Sequence, residues 1–98
     1  MEPYTIKELR AKVQDLEEMA FGSPAVMEVW GLRAGDRFEF QEGNATNGIG
    51  WRLFATHGRT INARVGSATY LGASKQEAML SLMALQREIY LIDSLSGR

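Results

Sequence analysis

The 98-residue chain contains no cysteine and a single histidine. The missing cysteine removes disulfides, thiolate zinc sites and cysteine nucleophiles together. Charge of one sign is also missing: 11 Lys and Arg stand against 12 Asp and Glu, a formal net charge of −1. That excludes the broad basic field of a strong nucleic-acid binder. Uninterrupted apolar runs span only a few residues, far short of the roughly 20 that a membrane helix needs. The N-terminal residues show no basic-then-apolar signal pattern, so the expected location is cytoplasmic. Hydrophobic residues make up 45% and charged residues 23%, close to the globular average, which argues against disorder. The length fits one domain over 1–98 with one modest core.

Glycine is frequent in the middle of the chain and scarce in its flanks. This predicts helix, then strands and turns, then helix. Thr5 with Glu8 forms a capping box ahead of a helical stripe of Ile6, Leu9, Val13, Leu16 and Ala20, and Gly22 ends the helix. Ser23-Pro24 suits a helix start, stopped by Gly31. Val26, Val29 and Trp30 suit a strand equally, and the reading taken is a short helix or turn.

Alternation then predicts strands at 36–42, 49–57 and 60–66, with a tight turn at His57-Gly58-Arg59 and a short fourth piece at 68–71. The fold class follows: α+β, an antiparallel three- to four-stranded sheet with the first and last helices packed on one face. Val13, Leu16, Phe38, Phe40, Trp51, Leu53, Ile61, Leu82, Leu85 and Ile89 are the expected core.

The last helix starts at Ser74, with Glu77 as its capping-box partner. Three apolar stripes run along it. Ala78, Leu82, Leu85, Ile89 and Ile92 form the first, Met79, Met83 and Tyr90 the second, and Leu80, Ala84, Leu91 and Leu95 the third. A surface helix normally carries one stripe, so this helix is covered on several sides. The sheet and the first helix cover two. The third is met either by residues 24–30 and loops or by another protein molecule. The expected interface is Met79, Leu80, Met83, Tyr90, Leu91 and Leu95.

Chemistry is sparse. His57 has no recognisable nucleophile or carboxylate partner, and it sits at a turn position that Asn or Asp often takes. Asp15, Glu17 and Glu18 read as a solvated helix face. Gly48-Ile49-Gly50 opens a strand, whereas a phosphate cradle follows a strand and opens a helix. No catalytic residue, metal ligand or cofactor site is called for. The open sheet face is the second candidate site: Arg52, Phe54, Thr56, Asn62 and Arg64, with Lys75 nearby, combine cations, an aromatic and small polar groups that suit nucleic acid or a partner.

Phe38-Glu39-Phe40, Trp51-Arg52-Leu53, Ala55, His57-Gly58, Tyr70 and Ser74-Lys75 together resemble the YegP-like family of small strand-strand-strand-helix units. That resemblance implies tandem or dimeric assembly. The present chain has a single unit, an added N-terminal helix and His57 where the family usually has Asn. The order helix, three strands, helix also resembles the double-stranded-RNA-binding domain, with Lys75 where that family carries phosphate-binding lysines. Glu77 and Met79 stand where further basic residues would be, which implies degraded RNA binding.

The functional expectation is a small non-enzymatic interaction domain, self-associating as a homo-oligomer and engaging a protein partner. A phage or mobile-element protein acting on a host factor is one setting for such a chain. The alternative is a nucleic-acid-binding module on the open sheet face.

Overall fold

A computed structural model describes residues 4–42, 50–63 and 70–96. Its elements are α1 (Ile6–Phe21), α2 (Pro24–Trp30), β1 (Phe38–Glu42), β2 (Trp51–Ala55), β3 (Tyr70–Gly72) and α3 (Lys75–Ser96), with a 3₁₀ turn at Thr56–Gly58. The strands form one antiparallel sheet in the order β1-β2-β3. The fold is therefore α+β, with N- and C-terminal helices against the sheet.

Local chemistry sets each helix boundary. The Thr5 hydroxyl accepts from the Glu8 N–H at 3.2 Å, and the Glu8 carboxylate accepts from the Thr5 N–H at 3.0 Å. α1 ends at Gly22, which stays right-handed at φ −86°. Gly22 ends the helix as expected, and the chain leaves it because Ser23 turns extended to cap α2. α2 ends on a left-handed residue: Gly31 has φ 71°, and the Leu32 N–H reaches back to the Met27 carbonyl at 2.8 Å. Residues 24–30 are thus helix. Ser74 caps α3, its hydroxyl accepting from the Glu77 N–H at 3.1 Å.

Register places Phe38 opposite Ala55, Phe40 opposite Leu53 and Glu42 opposite Trp51. Trp51, Leu53 and Ala55 are buried on the covered sheet face, while Arg52 and Phe54 are half-buried on the other. Phe40 stacks on Trp51 with centroids 5.5 Å apart, and Phe38 meets Phe21 at 5.5 Å and Trp30 at 6.4 Å. Nine of the ten expected core residues are buried, and Phe40 is partly buried against them. Leu9, Val26, Trp30, Leu71 and Ala78 complete much of the rest.

The third strand is a correction. Thr60–Ala63 belongs to no strand, and the strand beside β2 is Tyr70–Gly72, the segment read as a short extra piece. Backbone hydrogen bonding explains the difference. The Ala55 N–H is taken by the Arg59 carbonyl at 2.8 Å, closing the turn, and the Asn62 N–H goes to the Trp30 carbonyl at 3.1 Å. That segment docks on the end of α2 and still buries Ile61. Residues 64–66 of the expected strand lie outside the described residues.

One buried polar contact ties α2 to α3: the Trp30 indole N–H donates to the Glu88 carboxylate at 2.6 Å, with Trp30 fully buried. Hydrogen bonds to charged acceptors exceed neutral ones, and deleting one partner leaves a desolvated group behind. Trp30→Phe should therefore lower unfolding free energy by about 1–3 kcal/mol, read by urea denaturation. An unchanged midpoint would show that this contact contributes nothing.

Candidate interaction surfaces

α3 carries the first surface. One flank lies on the sheet, where the Ser81 hydroxyl donates to the Leu71 carbonyl at 2.5 Å. A second meets α1, where Lys12 Nζ donates to the Gln86 side-chain carbonyl at 2.7 Å. A third meets α2 through Glu88 and Asp93, the latter accepting from the Ser23 hydroxyl at 2.8 Å. The remaining face points outward: Leu80 is 54% exposed, Met83 46%, Tyr90 60%, Leu91 56% and Leu95 82%.

These are five of the six expected interface residues. Met79 is the exception and is corrected to core, being only 6% exposed. It lies two turns before Gln86 on the same flank of the helix, and α1 covers that flank. Arg87 was absent from the expected surface, yet it lines a shallow groove of about 470 Å³ with Leu80, Met83, Ala84, Gln86 and Tyr90. The spacing Leu80, Ala84, Arg87, Leu91 carries the signal that would have found it. A second hollow of about 300 Å³ lies beyond Tyr90, between Glu18, Met19, Ile89 and Asp93.

The open sheet face assembles only part of the second candidate. Arg52 and Phe54 share it, joined by Glu39, Gln41 and Tyr70 through the register. The Arg52 guanidinium lies over the Tyr70 ring, 5.4 Å from its centroid. Thr56 sits in the turn, where its hydroxyl accepts from the Arg37 N–H at 2.6 Å. Asn62 lies beside Gly31 at the end of α2 and not on a strand. Lys75 opens α3, and Arg64 lies outside the described residues.

His57 has a structural setting. It adopts φ 62°, and its N–H and that of Gly58 both donate to the Glu39 carboxylate at 3.1 Å. The left-handed conformation explains why Asn-like turn chemistry is expected there. Among the described residues, no three His, Asp or Glu side chains gather as a metal-binding group, and no helix is long and apolar enough to cross a membrane.

Arg59 forms an ion pair with Asp36, whose carboxylate also accepts from the Arg33 N–H at 2.8 Å. The Arg59 hydrogen bond, followed by that of Arg33, holds the Asp36 carboxyl below its ordinary value of 3.8. Comparison with family models, with curated proteins and with solved structures finds no match to this chain.

The Asp36 shift has a defined sign. A carboxyl with a lowered folded-state pKa adds stability in full above its unfolded-state value and loses it as pH falls through the folded value. The stability gap between wild type and Asp36→Asn should be flat from neutral pH to about 5 and narrow below about 4. Chemical denaturation across pH reads this; a gap unchanged at the acid end would contradict it.

Proposed function

We propose that the chain is a non-enzymatic protein-interaction domain that self-associates through the outward face of α3 and leaves the polar sheet face for a protein partner. The observation that carries this reading is the row of five large apolar side chains exposed along one helix, on a domain whose other apolar stripes are buried. Burying apolar surface is worth roughly 25 cal/mol per Å², so wetting four or five such side chains forgoes several kcal/mol. A small domain has a total stability of about 5–15 kcal/mol. A contiguous apolar patch of this kind marks a contact surface.

The nucleic-acid reading of the sheet face has less beneath it. Arg52 and Phe54 support it, but Glu39 shares that face, Thr56 is engaged with the backbone of Arg37, and Asn62 sits elsewhere. The near-neutral composition adds no long-range attraction for phosphate.

Leu91→Asp should convert an associated wild type into a monomer, measured by light scattering after size exclusion. The far-ultraviolet circular dichroism and the thermal transition of the monomer should be preserved, because Leu91 is exposed. An equally associated Leu91→Asp protein would remove α3 as the contact surface.

A further inference from the structure

We infer that one corner of the molecule, built by residues 31–37 and 56–59, docks a short acidic segment of a protein partner through Arg33 and Arg37. This rests on the protein-partner half of the reading above and supplies the partner's chemistry. It is independent of the α3 face.

Two segments distant in sequence are fastened together at this corner, where β1 begins and β2 ends. Gly31 turns left-handed after α2, and the Asp36 N–H donates to the Arg33 carbonyl at 3.0 Å. The Asp36 carboxylate accepts from the Arg33 N–H at 2.8 Å and pairs with Arg59. The Arg59 guanidinium also donates to the Gly31 carbonyl at 3.3 Å. On the other side, the Thr56 hydroxyl accepts from the Arg37 N–H at 2.6 Å and donates to the Arg37 carbonyl at 3.3 Å. The Glu39 carboxylate then holds the N–H groups of His57 and Gly58. The fastening uses the backbone of Arg33 and Arg37 and leaves their guanidinium groups out of it.

Arg33, Arg37 and His57 are exposed. Among the described residues, neither the Arg33 nor the Arg37 side chain takes a hydrogen bond or ion pair. Three arginines stand against one carboxylate here, and that carboxylate is already paired with Arg59, in a chain whose net charge is −1. A guanidinium is a planar fork of donors that matches a carboxylate on two bonds. The His57 imidazole, on the same turn, adds a ring N–H donor in either protonation state. Because the turns on both sides are already fixed, binding need not order the backbone that carries these groups. A short acidic peptide suits the corner better than nucleic acid does. The cation cluster ends at Glu39 on β1, and the chain as a whole is weakly negative. A long polyanion therefore gains little beyond two or three contacts.

The probe is a synthetic tetraglutamate peptide with blocked termini, titrated into isotopically labelled protein and followed by backbone amide and arginine side-chain NMR. The expected shifts fall on Arg33, Arg37 and the amides of 56–59, and they fade as salt is added. Arg33→Gln/Arg37→Gln should weaken binding about tenfold with the thermal transition unchanged. Lys7→Gln/Arg10→Gln removes the same charge from the start of α1 and should bind as the wild type does. Lys7 lies about 15 Å along the helix from Glu17, the α1 residue that reaches the Phe38 N–H. An equal loss in both double variants would reduce the effect to general charge and overturn the inference. Absence of any shift at millimolar peptide would overturn it too. Shifts confined to Arg52 and Tyr70 would move the partner to the sheet face, overturning this site while the protein-partner reading stands. Tighter binding of a duplex RNA than of the peptide, abolished by Arg33→Gln/Arg37→Gln, would overturn the acidic peptide as occupant and remove the protein-partner reading with it.

Discussion

Among the described residues, α3 carries more apolar surface than its neighbours cover, and the rest of the structure is arranged around that constraint. Ala78, Leu82, Leu85 and Ile89 are buried in the shared core, with the sheet, α1 and α2 ranged along three flanks of the helix. The Trp30–Glu88 and Ser23–Asp93 hydrogen bonds then place α2 against the C-terminal half of α3. Satisfied buried polar contacts of this type specify one arrangement among several that apolar packing alone would permit. Three flanks are thereby covered, and the fourth keeps Leu80, Leu91 and Leu95 in solvent.

The same constraint separates structural from functional reading at the remaining polar sites. His57 and Glu39 together complete a turn, with the carboxylate accepting from two backbone N–H groups. Asp36 and Arg59 tie the segment after α2 to the end of that turn. Lys12 and Gln86 join α1 to α3. Each of these groups has a local task that its partners account for. Among the described residues Arg87 has no such partner, and it lines the groove on the outward apolar face.

Much of this was legible in the residues because short-range chemistry governs it. The Thr5/Glu8 and Ser74/Glu77 boxes mark their helix starts, and the alternation of Trp51, Leu53 and Ala55 identifies β2. Long-range hydrogen bonding was not legible. Thr60, Ile61 and Asn62 alternate as a strand would, yet Asn62 bonds to Trp30, and the sheet edge is taken by Tyr70–Gly72. Met79 shares a stripe with Met83 and Tyr90, but only Met79 is buried, while Met83 and Tyr90 stay exposed. Stripes drawn through apolar residues pass over Arg87, a cation between them. Its neighbours at positions 80, 84 and 91 carry the repeat that includes it.

The measurement that bears most directly on the central claim is a dilution series followed by methyl and amide NMR. The account predicts that the methyl signals of Leu80, Leu91 and Leu95 shift with protein concentration, while those of buried Leu9, Leu16 and Leu53 stay fixed. Leucine methyl spectra that are identical from the most dilute to the most concentrated sample would contradict it.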